Sequence, residues 1–347
     1  MELEIKLLVM PKIKISFFEI KERWQRELFE KTFSPASFVL QFNPGKLTVG
    51  NAGKYKASDA IVVFIHCKVD KKVLEKLPRL KFVATQSTGF DHIDLAAAKS
   101  RGVTVCNVPF YGENTVAEHS FALILSLSRK IVESANRTRA GKFGLEGLRG
   151  FDLKDKVIGV VGAGHIGRHV IRMAHGFEMK MLAYDPYPDK SLESHYPLQY
   201  VSLEKLLTAS DIISLHAPYG PRTHHLINTK NIRLVKKGAI LINTARGGLV
   251  ETAALLAALK SGRLAAAGLD VLEEEGLISE DSGLVAGYLE REKLATVLAD
   301  HRLLTMQNVL VTPHNAFNSH EAVLRIATTT VENIKVWKKG KPINIVS

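Results

Sequence analysis

From residue 156 onwards the chain alternates short, uninterrupted apolar runs with longer stretches in which apolar residues recur every three or four positions. The runs at 157–161, 180–184, 212–215, 239–243, 266–271 and 309–312 read as strands. The stretches at 168–175, 202–209 and 252–261 read as helices, with a short helical turn at 232–234. Strands that are apolar along their whole length are covered on both faces, as in a parallel sheet with helices above and below. The first third of the chain repeats this theme less sharply. Strand-like runs lie at 4–10, 60–66, 82–86 and 103–107, helices at 24–33 and 95–101, and a polar, glycine-bearing loop at 43–56. Between the two regions, 113–140 carries a wide apolar stripe behind Asn114, a suitable N-cap. It reads as one long helix buried between domains or against a second subunit. Residues 276–306 form a charged insertion with a helical middle at 285–298. The chain closes on a helix at 319–338 that the second sheet does not need and that is expected to pack back on the first region. The expected fold class is therefore α/β, with two doubly wound parallel-sheet domains. The second (111–317) is inserted in a discontinuous, flavodoxin-like first domain (1–110 and 318–347).

The strand at 157–161 runs straight into Gly162-Ala163-Gly164-His165-Ile166-Gly167 and then into a helix. At this G-x-G-x-x-G spacing the first glycine allows a tight turn, the second lets a pyrophosphate approach the backbone, and the third lets helix and strand pack closely. The next strand ends in Asp185, whose carboxylate can accept both ribose hydroxyls of an adenosine and would repel a 2′-phosphate. The inserted domain is thus expected to be a Rossmann domain for NAD rather than NADP.

Composition changes this picture little. The 347 residues suffice for two cores, and 46% apolar with 24% charged residues is ordinary for a globular protein. No apolar run approaches the roughly 18 residues of a membrane span. The start of the chain lacks the separate charged and apolar regions of a signal peptide. Only Cys67 and Cys106 occur, in no metal-ligand spacing, which suits a reducing cytoplasm. The formal charge is +12, and basic residues cluster at 68–81 and 335–341, with Trp337 the one aromatic among them. It reads as a solvated surface that steers anions, not as a nucleic-acid site.

Ligands of open α/β sheets bind at the carboxyl ends of the strands. Those ends deliver His216-Ala217-Pro218, Thr244-Ala245-Arg246-Gly247-Gly248, Asp270 with Glu273, Glu274 and Glu275 close behind, and Pro313-His314. An arginine, a carboxylate and a histidine converge on one edge. Histidine can move a proton near neutral pH, a carboxylate can orient it, and arginine's fork can hold a substrate carboxylate beside a carbonyl. This suits hydride exchange with a 2-keto acid. Which of the three glutamates serves is open on spacing alone. His224-His225 reads as a surface turn, and His119 as a packed or capping residue.

At this point the sequence resembles the D-isomer-specific 2-hydroxyacid dehydrogenases, and among them the D-lactate branch. The matching residues are Ser87–Asp94, Asn107-Val108-Pro109 with Tyr111, Val116-Ala117-Glu118-His119, the glycine turn, Leu241–Gly247, Gly268–Val271 and Thr312-Pro313-His314. The resemblance implies Arg246, Glu275 and His314 as the catalytic set. It implies Thr88, Gly89, Tyr111 and Phe317 around the substrate. It implies cofactor contacts at Gly162, Gly164, His165, Ile166, Gly167, Asp185, His216, Ala217, Pro218, Thr244, Ala245, Arg246, Asp270 and His314, with no metal. Gly112-Glu113 departs from the branch's usual Ser-Pro, and His66 stands near a position where lactate enzymes often have tyrosine. The implied activity is conversion of a small 2-keto acid, pyruvate first; the long helix at 113–140 suggests a homodimer interface. Other keto acids and a non-catalytic NAD-sensing role are the alternatives.

Overall fold

The computed structural model describes residues 11–275 and 291–347. They form two compact units, one of residues up to 111 together with 320–347, the other of 112–319.

The first unit holds a five-stranded parallel sheet in the order β2-β1-β3-β4-β5: β1 (Ile13–Phe18), β2 (Phe38–Asn43), β3 (Ala60–Val63), β4 (Phe82–Thr85) and β5 (Thr104–Cys106). Helices α1 (Arg23–Thr32), α2 (Lys71–Glu75) and α3 (Leu95–Ser100) connect them, with a short 3-10 turn at Ala52–Tyr55 inside the expected loop. Successive residues face opposite cores. Ile15, Phe17, Val62 and Phe82 enter one, and Phe18, Ile61, Val63 and Val83 the other. The closing helix His320–Lys338 packs on the first of these cores, with Trp337 stacked on Phe82 at 4.7 Å. Two strands, β1 and β2, are additional to those expected. The strand expected at 4–10 lies outside the described residues.

The second unit is a seven-stranded parallel sheet, β12-β11-β10-β9-β6-β7-β8. Its strands are β6 (Val157–Val161), β7 (Lys180–Tyr184), β8 (Leu198–Tyr200), β9 (Ile212–Leu215), β10 (Ala239–Asn243), β11 (Leu264–Leu269) and β12 (Val309–Val311). Six strands were expected. The three-residue β8 extends the sheet beyond β7, pairing from Met181↔Leu198 to Ala183↔Tyr200. The helices are α4 (Glu113–Ser128), α5 (Ile131–Arg139), α6 (His165–Gly176), α7 (Lys190–His195), α8 (Leu203–Ala209), α9 (Thr252–Lys260) and α10 (Arg291–Thr305). From β6 the chain crosses first to β7 on one side and later to β9 on the other. The order therefore reverses between β6 and β9, where open α/β sheets take their ligands.

The helix expected over 113–140 is two helices. Lys130 adopts a left-handed φ of 50° and ends the run. The N-cap is Gly112, not Asn114, which sits in the first turn and bonds Glu118. α4 is buried within its own unit, where Gly268 leaves room for Leu123 and Leu127. α5 buries no residue at all. Of the helix expected at 285–298, residues 291–298 fall in α10 and 285–290 lie outside the described residues.

Candidate active site

Three glycines follow β6, and the chain itself explains two of them. Gly162 has φ of +92°, and a side chain there would meet Ala217 N at 2.7 Å. A side chain at Gly167 would strike the carbonyl of Gly162. Gly164 has an ordinary φ of −69° and nothing within 4 Å of where its Cβ would stand. Nothing among the described residues requires its missing side chain. α6 starts immediately after it with no side-chain cap, so its first N–H groups remain available to an anion. Asp185 accepts from Ala163 N at 2.9 Å and from Tyr187 N at 2.8 Å, which ties it to the glycine turn. An ionised carboxylate has further lone pairs for sugar hydroxyls. These residues fit a dinucleotide. His165 pairs with Glu113 at 3.0 Å, and Ile166 joins the core under the helix. His216, with Ala217 and Pro218, follows β9. Its Nε2 lies 2.8 Å from Ser214 Oγ, its Nδ1 has no partner, and burial pushes the imidazole down to about 3.

The carboxyl ends of β10, β11 and β12 lie side by side, with Asn243 paired to Leu269 and Leu269 to Val311. Beyond β10, buried Asn243 folds the next turn by accepting from Ala245 N and donating to Arg246 O at 2.9 Å. Thr244 Oγ1 meets Ser120 Oγ at 2.8 Å. Arg246 is half-buried, with Nη1 on its neighbour's carbonyl, Ala245 O, at 2.8 Å. The two glycines after it sit tightly, the first against backbone and the second against a side chain. A side chain at Gly247 would overlap the Leu272 backbone, and one at Gly248 would meet the Tyr219 ring at 2.6 Å. Loops after three neighbouring strands touch through these positions.

His314 lies on the loop beyond β12, with φ of +50°, a left-handed conformation uncommon for residues other than glycine. Asp270, 1% exposed, holds that loop in place. Its main-chain oxygen accepts from His314 N at 2.9 Å. Its side chain accepts from Thr312 Oγ1 at 2.5 Å, Asn315 N at 3.0 Å and Ala316 N at 2.9 Å. Since Thr312 gives its hydrogen to Asp270, His119 Nε2, 3.0 Å from the same oxygen, must be the donor in that contact. The Asp270 side chain is thus occupied with the His314 loop. His314 Nδ1 meets Glu275 Oε1 at 2.7 Å. Glu273, by contrast, takes Thr252 N, Thr252 Oγ1 and His225 Nε2. The geometry separates the glutamates that spacing could not.

Arg246, Asp270 and His314 therefore follow adjacent strands, and Glu275 meets His314 directly. Phe317 is half-buried in the same unit, near Gly112. Thr88, Gly89 and Tyr111 belong to the first unit. There Thr88 Oγ1 donates to Val108 O at 2.9 Å, Ser87 Oγ to Gly89 O at 2.7 Å, and Asn107 Nδ2 to Thr88 O at 2.8 Å. The loop is fixed through side chains and carbonyls. The N–H groups of Thr88 and Gly89 have no acceptor among the described residues. Tyr111 O accepts from Arg325 Nε at 2.7 Å. Sequence reasoning missed Asn243, Thr312 and His119 as organisers of the edge. Their roles arise from pairings between distant segments, which no local spacing signals. No group of three metal-ligating side chains occurs among the described residues.

The family model for D-isomer specific 2-hydroxyacid dehydrogenase, NAD binding domain, matches residues 121–316. The chain is 35% identical over 335 residues to D-lactate dehydrogenase of Escherichia coli, covering 95% of this chain and 98% of that one. It is 34% identical over 334 residues to a glyoxylate reductase of Korarchaeum cryptofilum, covering 95% and 91%. A solved structure of D-lactate dehydrogenase from Aquifex aeolicus, complexed with NAD and lactic acid, is similar with a TM-score of 0.85. The sequence identity is 32%, over 96% of this chain and all of that one.

Proposed function

The chain belongs to the family of D-isomer specific 2-hydroxyacid dehydrogenases, oxidoreductases that use NAD, and from that premise we propose that it interconverts pyruvate and D-lactate. The observation that carries the chemistry is the 2.7 Å contact between His314 Nδ1 and Glu275 Oε1 beside the Arg246 loop. An ionised carboxylate only accepts, so Nδ1 carries the hydrogen and Nε2 is left to exchange a proton with the substrate oxygen. In reduction, His314 gives that proton to the carbonyl oxygen. In oxidation it takes the proton back, and Glu275 holds the ring in place. Arg246 holds the substrate carboxylate with two parallel N–H donors and draws charge from the adjacent carbonyl. Bound NAD supplies or accepts the hydride.

Pyruvate is favoured by the similarity to D-lactate dehydrogenases. Glyoxylate is the second reading, since a glyoxylate reductase is almost as similar. kcat/KM over a panel of keto acids decides between them. The test of the chemistry is His314→Ala, assayed for NADH-dependent pyruvate reduction. A loss of roughly 10²–10⁴-fold is expected of a general acid. Activity within about tenfold of wild type would remove His314 from this role.

The proposed assembly is a homodimer through α5 and the segment after it. There Ile131, Val132, Phe143 and Leu145 expose large apolar side chains, the last two 76% and 81% exposed. A reducing cytoplasm remains the proposed location, supported by two unpaired cysteines, both buried. No helix among the described residues is long and apolar enough to cross a membrane.

A further inference from the structure

Asp300 lies on α10 with no exposed surface, and the proposed reaction does not use it. It faces the turn that carries the three glutamates. Its Oδ1 is 3.3 Å from Thr252 Oγ1, and its Oδ2 accepts from Glu274 N at 3.4 Å. The Thr252 hydroxyl is nearer to Glu273 Oε2, at 2.9 Å. A hydroxyl has one hydrogen to give. If Thr252 gives it to Glu273, the contact between Asp300 and Thr252 is satisfied only when Asp300 carries a proton of its own and donates it. An ionised Asp300 would instead set a third carboxylate, itself shut off from water, beside the partly buried Glu273 and Glu274.

The surrounding charges do not relieve this. The turn presents Glu273 and Glu274, α9 presents the neutral Thr252, His225 is spent on Glu273 at 2.5 Å, and Lys293 on α10 acts on Glu274. Burial first, and then the two glutamates, raise the Asp300 carboxyl to about 6, against the hydrogen bond from Glu274 N.

We propose that Asp300 is a positioning residue that works in its protonated form. Its carboxylic acid donates to Thr252 and accepts from Glu274 N–H. It thereby fixes the turn that sets Glu275 against His314, and loss of its proton loosens that turn and lowers turnover. The inference rests on the reading that Glu275 orients His314.

The experiment compares wild type, Asp300→Asn and Glu275→Gln in pyruvate reduction with NADH, from about pH 5 to about pH 8. Asparagine is neutral and keeps one donor and one acceptor, so it imitates the protonated acid. For a group titrating near 6, occupancy falls from about three-quarters at pH 5.5 to a few per cent at pH 7.5. Asp300→Asn is expected within about twofold of wild type at the acid end. The ratio of variant to wild-type kcat is expected to climb by about threefold or more at the alkaline end, with KM changing less. Profiles that superimpose throughout would overturn the proposal. A Glu275→Gln enzyme as active as wild type would instead overturn the underlying reading. Loss in Glu275→Gln together with superimposed Asp300→Asn profiles removes only the role of Asp300. Should Asp300→Asn fail to fold, aspartate-labelled wild-type protein can be titrated by carbon-13 NMR. One carboxyl that keeps its proton until about pH 6 supports the proposal, and complete ionisation of every aspartate by about pH 5 rejects it.

Discussion

The glycine turn separates residues the fold needs from those a ligand needs. Gly162 and Gly167 are required by contacts within the chain, and Gly164 by none. Gly164→Ala is therefore expected to leave thermal stability unchanged while weakening NADH binding by about tenfold or more, as read by calorimetric titration. Gly162→Ala should lower both, because a left-handed φ and a backbone collision together cost about 1–3 kcal/mol or more. Equal binding by Gly164→Ala and wild type would remove the pyrophosphate from that turn. His216 supplies a pH effect of defined sign. Its folded value of about 3 lies below the unfolded 6.5, so the unfolded chain takes the proton first. Its contribution is complete above about pH 6.5 and shrinks as pH falls towards 3, by up to about 1.4 kcal/mol per pH unit. Denaturant unfolding of wild type and His216→Asn near pH 7 and pH 5 should show the wild type losing more stability.

Among the elements, the loop after β12 shows how much of the site depends on a residue outside the chemistry. Thr312→Val removes the hydroxyl that Asp270 uses and the oxygen that His119 uses. It should cost about 1–3 kcal/mol of stability and lower kcat more than it raises KM. Unchanged kcat would show that the loop holds its left-handed His314 without this network. The second sheet was legible in the sequence because its strands are largely apolar along their length, and Val157–Val161, Lys180–Tyr184, Ile212–Leu215 and Ala239–Asn243 lie where the pattern puts them. β1 was not legible. Its alternation of apolar and polar residues continues that of the residues before it, and nothing local says which stretch pairs. β2 is an edge strand that pairs on one side only and leaves Val39 44% exposed, and although Phe38–Asn43 is mostly apolar, nothing in the sequence says that it joins this sheet. The break at Lys130 rests on a left-handed residue that is neither glycine nor asparagine. Glu275 could be told from Glu273 only once their partners were visible. Asp300 left no trace, since one acid in a helix looks solvated until the helix is packed.

The assembled molecule raises two questions, the number of chains and the substrate. α5 buries nothing in its own unit yet exposes Ile131 and Val132. A dimer is expected in sedimentation at micromolar concentration, and Ile131→Glu combined with Phe143→Glu should shift it towards monomer. A wild-type monomer under those conditions would contradict the assembly. The substrate question has a direct answer in the configuration of the product. Purified protein is incubated with pyruvate and NADH, and the lactate formed is resolved on a chiral phase. Accumulation of D-lactate alone, in step with NADH consumed, is the expected result. L-lactate, a racemate, or no turnover of pyruvate would contradict the proposed reaction.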